Sequence, residues 1–213
     1  MNTKSKNNLW MSLGFAYLLL LLGGPAKAQS KSEFGIKGGL NLSNFYVEKI
    51  DDKDARLGFN AGLYSRAYIT EFFAIQPELN YSTRGTEIIS DGFFNQRTKF
   101  NLNYLDIPVL AVFKLGKTVE LQAGVYGGYL LNANIKSEGD LGNWFDDLDR
   151  DNFQTLDYGL TGGLGFNLGG VQLGARYNLG LQQVAKSSGA RNVLGDSKNS
   201  LAQLYIAFPL SSK

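Results

Sequence analysis

The chain has 213 residues, with 21 Lys and Arg against 19 Asp and Glu, and neither histidine nor cysteine. Disulfides, thiolate metal sites, lipid attachment through cysteine and any histidine general base are therefore excluded. Three lysines fall in the first 28 residues, so the remainder carries 18 basic against 19 acidic side chains and lacks the basic excess that nucleic-acid binding needs.

The chain begins with Lys4 and Lys6, then an apolar stretch from Leu9 to Leu22, then Pro25 and the tripeptide Ala26-Lys27-Ala28. A positive start, a short apolar core and an A-x-A site predict a cleaved secretory signal peptide over residues 1–28. Residues 29–213 are then the mature domain. No later apolar run approaches the roughly 20 residues of a membrane helix, so any membrane crossing must use strands.

Period-two alternation predicts eight strands, near 33–44, 57–69, 73–84, 100–114, 119–131, 157–168, 171–181 and 200–210. Each has about the 9–11 residues that a tilted strand needs to cross a bilayer, or slightly more. In the seventh, Val171, Leu173, Ala175, Tyr177, Leu179 and Leu181 share one face. Gln172, Gly174, Arg176, Asn178 and Gly180 share the other. The second and sixth strands divide in the same way, with glycine and scattered polar groups opposite the apolar row.

The connections after strands two, four and six are short: Thr70 to Phe72, Leu115 to Thr118 and Gly169-Gly170. Those after strands one, three, five and seven are long and polar: 45–56, 85–99, 132–156 and 182–199. Short periplasmic turns alternating with long extracellular loops are the layout of an outer-membrane barrel, and an even strand count returns both ends of the domain to the periplasm. The expected fold is an all-β, eight-stranded, antiparallel up-and-down transmembrane barrel. The competing reading is a soluble, lipocalin-like periplasmic barrel, with the apolar face turned inward around a ligand. A glycine-studded face suits a narrow, filled lumen better than a soluble exterior. Phe45, Tyr46, Phe72, Phe73, Tyr129 and Phe208, near strand ends, are candidates for interfacial girdles.

In the fourth strand Leu105, Ile107, Val109, Ala111 and Phe113 form the expected lipid-facing row, with Tyr104, Asp106 and Pro108 opposite. Asp106 is then free to meet water or a lumen donor such as Arg66 or Arg176. Pro108 removes one ladder donor, so a bulge or a missing hydrogen bond is expected there.

Five stretches carry a resemblance: FGIKGGLNLSNF (34–45), GFNAGLYSRAYI (58–69), FAIQPELNYSTRG (73–85), NYLDIPVLAVFKL (103–115) and YGLTGGLGFNLGGVQLGARYNLGL (158–181). Together they resemble the PorT-like outer-membrane β-barrel family of Bacteroidota, most distinctively at Tyr104-Leu105-Asp106-Ile107-Pro108. The resemblance implies an eight-stranded barrel in a Gram-negative outer membrane. Its founding member is linked to type IX secretion and gliding, and it supplies no catalytic residues. The partners it implies are outer-membrane lipid and lipopolysaccharide, the barrel-assembly machinery, and secretion-system or envelope proteins.

Arg66, Glu78, Asp106, Glu120 and Arg176 fall on the predicted inward face. Isolated charges in a narrow lumen are costly, so an interior network is expected, joined by Gln76, Gln122, Gln172, Tyr64 and Tyr126. Filling the barrel is its expected role, since eight strands leave no aqueous channel; the sharper alternative is a gated ion path. Asp147, Asp149 and Asp151 have the spacing that opens a calcium loop. Asn152 stands where the turn glycine belongs and Tyr158 where the bidentate glutamate belongs, so a solvated acidic loop is expected instead. Trp144 and Phe145 in the same loop are candidates for contact with a partner or lipopolysaccharide. No helix follows Gly162-Gly163 or Gly169-Gly170, so neither is a phosphate loop. No cofactor, metal or enzymatic activity is expected.

Overall fold

The computed structural model describes residues 32–46, 53–91, 95–139, 144–147, 153–186 and 197–212. The predicted signal peptide, Asp149 and Asp151 lie outside them. The strands are β1 (Ser32–Tyr46), β2 (Lys53–Tyr68), β3 (Phe73–Asp91), β4 (Asn95–Leu115), β5 (Val119–Gly139), β6 (Trp144–Asp147), β7 (Leu156–Asn167), β8 (Gln172–Gln183) and β9 (Lys198–Ser212). Eight of them pair antiparallel in chain order, β4 with β5 and β5 with β7, and β9 returns to β1. This is a closed eight-stranded antiparallel barrel. The four-residue β6 lies outside the cylinder and pairs with the far end of β5.

Closure leaves no sheet edge, so every strand has one wet and one dry side. On β8 the even positions are buried and the odd ones exposed through Leu181. On β9, Leu204, Ile206, Phe208 and Leu210 are exposed, while Leu201, Gln203, Tyr205 and Ala207 are buried. On β4, Val109 and Phe113 face outward, whereas Tyr104, Asp106 and Leu110 are buried. The exterior is therefore an apolar belt, and most of the charge on these strands faces the lumen. A soluble barrel with an inward apolar face is contradicted by this polarity.

The strand starts and stops track lipid contact only in part. β3 runs to Asp91, β4 begins at Asn95 and β5 runs to Gly139, so much of 85–99 and 132–139, expected as loop, is strand. Beyond the lipid a hairpin can be polar on both faces, and period-two alternation no longer marks it. At the other end the connections are as short as expected. The β7–β8 turn is a two-residue hairpin in which Leu168 N–H donates to the Val171 carbonyl at 2.8 Å. Gly169 and Gly170 both have positive φ, at 67° and 107°, which residues with a Cβ rarely adopt.

Each proline in the described strands marks a break in a ladder. Between Tyr64↔Glu78 and Ala67↔Ile75 the β2–β3 ladder is interrupted beside Pro77. Between Pro77↔Val109 and Asn80↔Asp106 the β3–β4 ladder is interrupted beside Pro108, without a change of register. The bulge on the β4–β5 side lies at Asn103/Tyr104 instead. Pro209 adjoins the register shift between β1 and β9. A missing N–H is tolerable here because the remaining ladder holds the register.

Leu204 lies near the middle of β9 and is 65% exposed on the apolar belt. Leu204→Arg is expected to destabilise the barrel by about 2–4 kcal/mol in lipid vesicles, measured by urea unfolding. An unchanged midpoint would mean that this face does not meet lipid.

Candidate functional site: the barrel lumen

Inward-facing charges converge on three ion-pair centres. The first is Glu78, which accepts from Arg176 Nη1 at 2.7 Å and Nη2 at 2.9 Å, and from Lys37 Nζ at 3.0 Å. Gln76 and Asn80, two residues away on either side of β3, donate to it at 2.7 and 2.9 Å. A strand places alternate side chains on one face, which is why 76, 78 and 80 meet. Glu78 and Arg176 are both buried.

The second centre is Glu120, at the short-turn end. Arg66 grips it with Nη2 at 3.0 Å and Nη1 at 3.2 Å, while Gln122 and Gln172 donate to Oε1 at 2.7 and 2.5 Å. Gln122 also accepts from Arg176 at 2.6 Å and from Tyr205 at 3.1 Å, which joins the first two centres. A glycine makes room for this crowd. A Cβ on Gly165 would stand 2.8 Å from both Gln172 Nε2 and Glu120 Cγ.

The third centre is Arg84, which donates one Nη to Asp106 and the other to Asp157 at 2.5 Å. Its guanidinium lies over the rings of Tyr104 and Tyr126, at 4.7 and 5.2 Å. Tyr126 and Asn199 donate to Asp157 at 3.1 and 3.0 Å. Asp106 thus meets Arg84, while the two arginines considered from sequence are engaged elsewhere: Arg66 by Glu120 and Arg176 by Glu78. Between the first and third centres runs an uncharged belt in which Asn60 and Gln203 donate to Asn41 Oδ1 at 2.6 and 3.0 Å.

The structure places all five sequence-predicted lumen residues inside the barrel and adds Lys37, Arg84 and Asp157. Lys37 and Asp157 alternate with inward glycines, a signal readable in the sequence. Arg84 is the last residue of its predicted strand, where a loop was expected to begin, and only its true partners on β4 and β7 reveal its place.

Above Arg84 the long-loop end is closed by apolar side chains. Leu102, Leu130 and Ala133 of the barrel wall pack with Phe153, Val184 and Ala185 from the loops. A bridge between Phe153 and Ala185, and a 2.8 Å bond from Leu130 N–H to the Thr155 carbonyl, hold the loops over the mouth. Trp144, Phe145 and Asp147 belong to β6 by their backbone pairing with Ser137, Lys136 and Asn134; their side chains are outside the described residues. Among the described residues no group of three or more acidic side chains is placed to hold a metal ion.

Residues 27–186 match the family described as outer membrane protein beta-barrel domain. No curated protein matches the chain. Among solved structures it is similar to Ail, the attachment invasion locus protein of Yersinia pestis, at 15% identity and TM-score 0.47, over 86% of this chain and 100% of that one. It is similar to Neisserial surface protein A at 14% identity and TM-score 0.48, over 82% and 96%. The N-terminal β-barrel domain of Pseudomonas aeruginosa OprF follows at 13% identity and TM-score 0.38, over 85% and 100%.

Removing Glu78 would strand Arg176 and Lys37 together. Glu78→Ala is expected to cost about 3–5 kcal/mol in urea unfolding, whereas a triple variant with Glu78, Arg176 and Lys37 all replaced by methionine should recover most of that loss. Equal losses in the two variants would mean that packing volume, not charge compensation, is what these residues supply.

Proposed function

The chain belongs to the outer membrane protein beta-barrel domain family, and from that premise we propose a non-enzymatic protein that works at its rims rather than through its lumen. It is an integral protein of the outer membrane. The observation that carries the proposal is the filled and capped interior. Three ion-pair centres occupy the lumen, and Phe153, Val184 and Ala185 close it at the long-loop end. An eight-stranded cylinder filled in this way leaves no continuous path for solute.

The ion pairs then act as structure: they fill the lumen and hold the strands in register. The long loops, with Trp144 and Phe145 among them, are the surface available to lipopolysaccharide or to an envelope partner. Residues 1–28 act as a cleaved export signal, and the chain reaches the membrane through the barrel-assembly machinery. An accessory part in type IX secretion or gliding rests on the resemblance to PorT-like proteins alone.

Two measurements test this. In planar bilayers the refolded protein should show no resolved conductance steps; steady openings would establish a path through the lumen. Crosslinking from intact outer membranes should capture a partner that is lost when residues 140–152 are deleted. That deletion spares both β5 and the Phe153 cap. A partner that persists in the deleted form would exclude this loop as the contact.

A further inference from the structure

The two ends of the lumen differ. At the short-turn end it opens into a cavity of about 300 Å³, walled by Glu33 of β1, Pro209 of β9, Lys117 of the β4–β5 turn and Gly169-Gly170 of the β7–β8 turn. The short turns and both ends of the barrel domain meet there, so this is the mouth that faces the periplasm in the layout of outer-membrane barrels. Its floor is Arg66 and Gln172, both buried and both fixed on Glu120. Its wall includes Tyr64 and Tyr68.

The charges at this mouth do not cancel locally. Its one acidic lining group, Glu33, is already engaged: Tyr64 and Tyr68 hydroxyls donate to it at 2.9 and 3.2 Å, and Arg66 lies 3.9 Å away. Lys114 points inward by strand alternation, with Nζ 4.0 Å from the centroid of the Tyr68 ring. Its cross-strand neighbour is Glu120, whose oxygens are taken by Arg66, Gln122 and Gln172. Among the described residues no carboxylate lies within 4.0 Å of Lys114 or Lys117. Two ammonium groups therefore flank an open mouth whose polar floor is already satisfied.

We infer that this mouth is a binding site for a phosphate group, held by Lys114 and Lys117 above the Arg66–Glu120 floor. Ammonium groups bind phosphate as point charges without the planar fit that a carboxylate–arginine pair requires. The cavity is at the small end of ligand-site volumes, large enough for a phosphorylated small molecule or one phospholipid headgroup. The two sources share their chemistry and differ in the route of entry. Lys114 is set back inside the rim, so it meets a headgroup only when that headgroup bends into the mouth.

The test uses the full barrel in phosphatidylcholine nanodiscs, titrated with inorganic phosphate and followed by calorimetry and by the Tyr68 ring resonances. Saturable binding that shifts Tyr68, weakened about tenfold or more in Lys114→Gln and in Lys117→Gln, is expected. Lys198→Gln at the opposite rim should leave it unchanged. In nanodiscs that contain phosphatidylglycerol, a Tyr68 shift before any phosphate is added, lost in Lys114→Gln, would assign the site to the lipid headgroup and support the proposal. No saturable response in either bilayer, or a response that Lys114→Gln leaves intact, overturns it.

Discussion

Glu78 has four donors inside a cylinder that leaves little space for water. That arrangement is a consequence of lipid on the outside. A strand that crosses a membrane must present apolar side chains to lipid on alternate positions, so its polar residues are forced inward. Once inside, a charge has no bulk solvent to screen it, and it must find a counter-charge on another strand. Arg176 of β8 and Lys37 of β1 reach Glu78 of β3 across the lumen, not along the ladder. These contacts tie distant strands together in a way that nearest-neighbour hydrogen bonds cannot.

The charges also divide the interior along its axis. Arg84, with its two aspartates and two tyrosine rings, occupies the half nearer the long loops, and an apolar cap seals it from above. The Glu120 centre occupies the short-turn half, and the lumen beyond it is open. The two ends of the lumen, as far as the described residues show them, therefore present different surfaces.

Much of this was legible in the sequence, and the limits have physical causes. Alternation identified the eight strands and the inward set because lipid enforces it residue by residue. It failed beyond the lipid, where β3, β4 and β5 continue as a polar ladder and β6 folds back on β5. Pro108 was readable as a lost donor, and the ladder beside it is indeed broken, but the nearby bulge was displaced to Asn103/Tyr104. Pairing was the hardest part. Asp106 has Arg66 and Arg176 as plausible inward partners on a linear reading. Closure and register bring it to Arg84 on the adjacent strand, which in turn draws in Asp157 from two strands further round. One-dimensional patterns give the face of each residue, while the axial level that decides its partner depends on register.

Alternation sorts lipid-facing from lumen residues, and the absence of cysteine makes that sorting directly measurable. Single cysteines at successive positions from 102 to 113, spin-labelled in lipid vesicles, would report accessibility to oxygen and to a water-soluble nickel complex. Oxygen accessibility is expected at 105, 107, 109, 111 and 113, with protection at the even positions between them. Oxygen accessibility at the even positions, or no alternation along β4, would contradict that sorting.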